Sequence, residues 1–267
     1  YEKDDGTLVI ACALTTHDDY FGVQQTSARL FDFALAELPA AGWEAELISR
    51  DLHADEALAR DNCAAAILFE AVQGEGGVLP LPADFVETMQ CVARENDLLL
   101  IADEVQVGNG RSGALYGYMN LDLTPDIVTT AKGLGGGLPI GACLLGERVE
   151  NVLGAGDHGS TFGGNPIACA GALSVLRRLT PVFLAEAAAK GEKLQACFRD
   201  APGIEGVTGM GLMLGLKTAR PAREVVRACM EKGVLCLTAK DKVRLLPALN
   251  ILDEQLMQAA EIILSVL

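Results

Sequence analysis

Four polar runs hold the residues of this chain best suited to chemistry. Ala64 to Phe69 leads into Glu70-Ala71-Val72-Gln73-Gly74-Glu75-Gly76-Gly77, and Leu98 to Ala102 leads into Asp103-Glu104-Val105-Gln106. Ile127 to Thr130 leads into Ala131-Lys132, followed by Gly133-Leu134-Gly135-Gly136-Gly137; the fourth run is His158-Gly159-Ser160-Thr161-Phe162-Gly163-Gly164-Asn165-Pro166. A lysine at a strand exit, with glycines behind it that let another group approach, is where a Schiff-base nucleophile can sit. Taken singly, Lys132 also fits a solvated loop lysine, and Asp103 a helix cap or surface acid.

The combination carries more than either residue. A lysine to hold an aldehyde and a carboxylate to keep a pyridine nitrogen protonated are the groups that pyridoxal chemistry requires. Lys132 and Asp103 supply them from separate strand exits. Gln106 suits a ring oxygen, and the hydroxyl and backbone N–H groups around Ser160 and Thr161 suit a phosphate.

The elements that must position these residues follow from the apolar pattern. Thr7 to Ala13, Glu44 to Ile48, Ala64 to Phe69, Leu98 to Ala102, Ile127 to Thr130 and Ile140 to Leu145 read as strands, with amphipathic helices at Ala28 to Ala40 and Ala83 to Asn96. Alternating strands and helices predict an α/β fold with a mainly parallel sheet, whose ligands gather at the carboxyl ends of the strands. From Ile167 the pattern changes to helices at Ile167 to Leu179 and Ala185 to Arg199, the second closed by Pro202-Gly203. A smaller unit follows: a glycine-containing strand at Val207 to Leu216, a helix at Ala222 to Lys232, short strands at Val234 to Leu237 and Val243 to Leu246, and a last helix at Glu254 to Leu267. The expected division is a large domain over 1–178 and a small α+β domain over 179–267.

With these runs in order, the chain resembles the class III aminotransferases of the fold-type-I pyridoxal-phosphate enzymes, and among them the acetylornithine and ornithine aminotransferases. V-Q-G-E-G-G at Val72 to Gly77, I-A-D-E-V-Q-V-G-N-G-R-S-G at Ile101 to Gly113, T-P-D-I-V-T-T-A-K-G-L-G-G-G-L-P-I at Thr124 to Ile140 and H-G-S-T-F-G-G-N-P at His158 to Pro166 carry the resemblance. It implies that Lys132 is the catalytic lysine, holding pyridoxal 5'-phosphate and moving the proton. Asp103, Glu104, Val105, Gln106 and Thr161 would bind the cofactor, with Asp103 at the pyridine nitrogen, Gln106 at the ring oxygen and Thr161 reaching the phosphate in a second subunit. Ser160, Glu75 and Arg244 would serve the substrate, Glu75 and Arg244 as a switch that frees the arginine for a carboxylate. The implied reaction moves an amino group between an ω-amino acid such as N-acetylornithine and 2-oxoglutarate or glutamate, in a homodimer with a shared active site.

The resemblance runs from about Ala64 to the end. Family members carry further residues in front, including a Ser/Thr-Gly-x-Glu-Ala stretch that holds the cofactor phosphate, so the chain is expected to begin in mid-domain and to lack the N-terminal part. Where the family has F-H-G-R-T, this chain reads Asp19-Tyr20-Phe21-Gly22-Val23-Gln24-Gln25-Thr26. An aromatic survives there and the carboxylate-binding arginine does not, with Arg29 too far along to replace it. A non-catalytic remnant that keeps the fold is the alternative reading. Gly108-Asn109-Gly110-Arg111-Ser112-Gly113 also matches G-x-G-x-x-G. A nicotinamide-dependent oxidoreductase is nonetheless remote, because Asp103-Glu104-Val105-Gln106 intervene between the strand and these glycines and no helix is expected at the third.

Composition bounds the remaining classes. A net charge of −15, from 21 basic against 36 acidic residues with no basic stripe, argues against a nucleic-acid surface. No apolar run approaches the roughly 18 residues of a membrane span. Tyr1-Glu2-Lys3-Asp4-Asp5 resembles neither a secretory nor a transit signal. The eight cysteines form no C-x-x-C pair, and His17, His53 and His158 lie far apart, so neither a disulfide framework nor a metal site is expected. A cytoplasmic protein with free thiols is the expectation.

Overall fold

The computed structural model describes residues 65–267, together with the backbone of two strands, β1 (Val9–Ala13) and β2 (Glu44–Ile48). The expected helix at Ala28 to Ala40, the aromatics Tyr20 and Phe21, Arg29, His17 and His53 lie outside the described residues.

Parallel pairing builds the first sheet, as the alternating pattern predicts. β3 (Ala66–Phe69) pairs with β6 (Leu99–Asp103), β6 pairs with β7 (Ile127–Thr130), and β8 (Ala142–Leu145) closes the row antiparallel to β7. β1 and β2 pair in parallel, and β1 lies beside β3. Register aligns the exits: Phe69 stands opposite Ala102, and Asp103 opposite Thr129. Between β3 and β6 run the short hairpin strands β4 (Val72–Gln73) and β5 (Leu79–Pro80), then helix α1 (Ala83–Glu95). Helix α1 buries Val86, Met89 and Ala93, a spacing of three and four that places all three on one face. That face meets Phe69, Leu98, Leu100 and Val128 in the core of this sheet.

Two helices lead to the second sheet. In α2 (Pro166–Leu176), proline occupies the first turn and the Asn165 side chain accepts from the N–H groups of Ile167 and Ala168; in α3 (Pro181–Phe198), Thr180 caps in the same way through Phe183 N–H. β9 (Ile204–Met210), β10 (Met213–Thr218), β11 (Leu237–Ala239) and β12 (Lys242–Leu245) then form an antiparallel sheet in the order β11-β12-β10-β9. Helices α4 (Ala222–Glu231) and α5 (Asp253–Leu264) complete the unit. Leu194 and Phe198 of α3, Leu214 and Leu216 of β10, Val225 of α4 and Ile263 of α5 share one core. Each such side chain contributes about 1.5–3 kcal/mol by its removal from water.

Two expected elements differ. The single strand at Val207 to Leu216 is a hairpin, with Met210 paired to Met213 across the two-residue turn Gly211-Leu212. Gly211 has φ +54°, a conformation its missing Cβ permits, and this turn reverses the chain inside what reads as one apolar run. The short strand expected at Val234 to Leu237 begins only at Leu237. Val234 N–H instead donates to Cys229 O and finishes α4, so ladder pairing starts at Leu237 opposite Arg244.

The two sheets are joined by packing. Val72, Val78 and Val107 from the first unit and Met213 and Ala239 from the second form one small buried cluster. Helix α3 approaches the β9–β10 turn closely enough that a Cβ on Gly191 would stand 2.2 Å from Gly211 O, while a Cβ on Gly211 would stand 2.4 Å from the Ser112 carbonyl carbon.

Candidate active site

Three neighbouring strands of the first sheet end in charged residues. β3 ends before Glu70, β6 ends at Asp103, and Lys132 follows β7 by two residues. Their fields overlap: Glu70 is raised to about 7, first by burial and further by Asp103 and Glu75, while Lys132 and the Gly74 N–H act in the opposite direction. Glu70 is thus a carboxyl group half-protonated near neutrality among two acids and an amine.

Asp103 accepts from Val105 N–H at 2.9 Å and from Thr129 Oγ1 at 3.5 Å, both through Oδ1. Its Oδ2 receives no hydrogen bond from the described residues. Lys132 is exposed, and its amine makes no hydrogen bond or ion pair with a described residue. Its backbone is strained: φ is +45°, in the left-handed region, which costs a non-glycine residue roughly 1–2 kcal/mol. Lys132 opens a short 3₁₀ turn, Lys132–Gly135, which ends on the left-handed Gly136.

Gln106 lies against the turn after β3, so closely that a Cβ on Gly74 would meet its Oε1 at 2.5 Å. That turn is closed by Gly74 N–H donating to Glu70 Oε2 at 3.2 Å. Its next residue, Glu75, pairs through Oε1 with Arg244 Nη1 at 2.6 Å. Arg244 sits in β12 with 7% of its surface exposed, and its buried Nε has no hydrogen-bond partner among the described residues. A guanidinium held this way by one carboxylate, with a donor to spare, can exchange that partner for another carboxylate.

The remaining sequence candidates divide. Glu104 is fully buried, and its carboxylate accepts from Gly117 N–H at 2.7 Å and Tyr118 N–H at 2.9 Å. Its side chain is therefore engaged by the turn at Gly117 and Tyr118, which ties the exit of β6 to that turn. Burial raises its carboxyl pKa, opposed by those two N–H groups. Val105 is half-buried, and its N–H serves Asp103. Ser160 and Thr161 lie in an exposed loop with no hydrogen bond or ion pair linking it to the cluster among the described residues. Among the described residues no group of three or more His, Cys, Asp or Glu side chains could hold a metal ion.

Sequence reasoning passed over Glu70 and Asn109 as site residues. Glu70 follows an apolar strand just as Asp103 does, and the same strand-exit rule reaches it. Asn109 gives no local signal beyond its place between two glycines.

The site thus sets a lysine and an acid on adjacent exits of a mainly parallel sheet, with a paired arginine on a second, antiparallel sheet. The family comparison is specific: the model for the class-III aminotransferases matches residues 5–267, and the chain belongs to that family. It is 47% identical over 229 residues to the acetylornithine aminotransferase of Haemophilus ducreyi, covering 85% of this chain and 58% of that protein. It is 42% identical over 205 residues to that of Corynebacterium efficiens, covering 76% and 51%. The chain thus spans between half and three-fifths of the length of these curated relatives. Among solved structures, the ornithine aminotransferase of Toxoplasma gondii, in which PLP partially occupies the active site, superposes with a TM-score of 0.80 at 30% identity, covering 99% of this chain and 64% of that one. The N-acetylornithine aminotransferase of Stenotrophomonas maltophilia gives 0.76 at 28% identity, covering 99% and 66%.

Proposed function

We propose that this chain carries the cofactor lysine and the carboxylate-binding arginine of a pyridoxal-phosphate-dependent aminotransferase, moving an amino group between an ω-amino acid such as N-acetylornithine and 2-oxoglutarate or glutamate. The observation that carries the reading is Lys132 and Asp103 on the exits of paired parallel strands, each with an unengaged polar atom. The residues fit the cofactor: Asp103 Oδ2 is an acceptor lacking a donor among the described residues, as a pyridinium N–H requires, and the Lys132 amine is open to an aldehyde. When bound, pyridoxal phosphate supplies an electron sink for the carbanion formed at the substrate carbon.

The other steps belong to the chain. Lys132 would hold the cofactor's aldehyde, and its freed amine would serve as the base and acid that carries the substrate proton. Asp103 would keep the ring nitrogen protonated, and Gln106 would hold the ring oxygen. Arg244 leaves Glu75 to bind the α-carboxylate of glutamate and returns when the ω-amino substrate enters, so one site serves two unlike substrates. Ser160 would lie beside the substrate, and Thr161 of a second copy would reach the phosphate. The relatives named as acetylornithine aminotransferases favour an acylated ornithine over ornithine itself.

A homodimer in the cytoplasm, acting in arginine biosynthesis, completes the reading. Exposed Phe162 and Ile167 beside Thr161 support the dimer. Among the described residues no single helix is long and apolar enough to cross a membrane. The division falls between residues 178 and 179. In its favour, α3 packs on β9, β10 and α5, whereas α2 packs against the turn that begins at Lys132.

Visible absorption with added pyridoxal phosphate, followed by borohydride reduction and peptide mapping, tests the cofactor; a panel of amino donors with 2-oxoglutarate tests the substrate. Lys132 is expected to carry the label, and N-acetylornithine to turn over. An unlabelled Lys132 would support a non-catalytic remnant instead.

A further inference from the structure

We propose that Asn109 is the positioning residue for Lys132, fixing the peptide ahead of the lysine so that its amine is held on the Asp103 and Glu70 side of the site. This rests on the reading of Lys132 as the cofactor lysine and names what orients it.

Asn109 is 5% exposed, and its side-chain amide spends both hydrogens on the exit of β7. Nδ2 donates to Thr130 Oγ1 at 3.0 Å and to Ala131 O at 3.1 Å. Ala131 O also accepts from Leu134 N–H at 3.0 Å, the bond that closes the turn opened by Lys132. One carbonyl is therefore clamped from two sides immediately before a lysine held at φ +45°. The amide orientation is fixed by chemistry: reversed, its Oδ1 would face the Ala131 oxygen, two acceptors with no hydrogen between them.

The clamp has a rigid base. Gly108 N–H donates to Glu104 O at 3.0 Å, and any Cβ on Gly108 would lie 2.6 Å from that same oxygen. Glu104 is itself anchored to Gly117 and Tyr118. Asn109 takes φ +55°, a conformation asparagine accepts more readily than most residues. On the far side, a Cβ on Gly133 would touch Asn109 Cβ at 3.4 Å, so the side chain also packs against the lysine's own turn. The Thr130 hydroxyl is shared with Tyr116, which leaves the Ala131 carbonyl as the contact that bears on Lys132 alone.

Asn109→Gly is the informative variant, because glycine accepts the same φ while removing the amide and its Cβ, the two contacts through which Asn109 reaches the lysine's turn. Ser112→Ala is its control: Ser112 is buried in the same loop and bonds Ala114 and Asn120, not the lysine's turn. In the cofactor-free chain, hydrogen exchange at the Leu134 amide should quicken about tenfold in Asn109→Gly, the scale of one lost hydrogen bond, and stay unchanged in Ser112→Ala. With pyridoxal phosphate and borohydride, Asn109→Gly should label Lys132 with an affinity about tenfold below the unmodified chain and with a shifted pH midpoint of the visible band, while Ser112→Ala matches the unmodified chain. Equal exchange and equal labelling in Asn109→Gly and the unmodified chain would overturn the proposal, as would the same losses in both variants, which would mark general loosening of the loop. An unmodified chain that leaves Lys132 unlabelled would overturn the cofactor reading, and the exchange experiment separates that failure from failure of the clamp.

Discussion

Glu70 carries its charge reluctantly, and that has a measurable cost. Burial pushes its carboxyl from 4.5 to about 7, so the unfolded chain loses the proton first as pH rises. Stability from this group is complete below pH 4.5 and has gone once pH passes 7. Glu70→Gln stays neutral and can still accept from Gly74 N–H; urea unfolding should find it more stable than the unmodified chain at pH 8, by on the order of 1–3 kcal/mol, and equal near pH 4.5. Lys132 and Asp103 are legible in the sequence because each stands at the end of an apolar run, where a parallel sheet delivers its ligands. The partners of the Glu104 carboxylate are not legible, since Gly117 and Tyr118 lie 13 and 14 residues on and meet it only in the folded chain. Asn109 is not legible, since its partners lie 21 and 22 residues away and meet it only once β6 and β7 are paired.

At the scale of elements, the loop after β6 does two jobs. Asn109 reaches the exit of β7, and two residues on Arg111 reaches the second sheet, donating through Nη1 to Leu212 O at 3.3 Å and to Pro247 O. Leu212 N–H answers by donating to Arg111 O at 3.0 Å. Burial lowers the guanidinium pKa, and the groups that accept from it are main-chain carbonyls. Arg111→Lys keeps the charge and loses the fork, so it should lower the urea midpoint by about 1–3 kcal/mol equivalent, with the loss followed by circular dichroism. The Glu75–Arg244 pair joins the same two sheets across 169 residues. The strands of the first sheet are readable because each apolar run is bounded by glycine or charge. The β9–β10 hairpin is not, because its turn, Gly211-Leu212, supplies only one residue with a turn signal between two apolar strands.

For the whole molecule, Phe162 is 86% exposed and Ile167 70%, and both stand on or beside the loop that holds Ser160 and Thr161. Apolar side chains so bare at the rim of this loop fit the partner surface that the proposed dimer requires. On the proposed dimer, Phe162→Asp should shift sedimentation from dimer to monomer and, by removing the contribution proposed for Thr161 of the second copy, weaken pyridoxal phosphate uptake while leaving the melting of the second sheet unaffected. The junction between the units has a different character. Where α3 crosses the β9–β10 turn and that turn meets the loop at Ser112, main chain rests on main chain, with Gly191 and Gly211 leaving no side chain to adjust. Such a fit is heritable only as a set: chimaeras with longer relatives that take residues 108–113 from one parent and 191 or 211 from another would join surfaces shaped for different neighbours, and productive crossovers belong elsewhere along the chain.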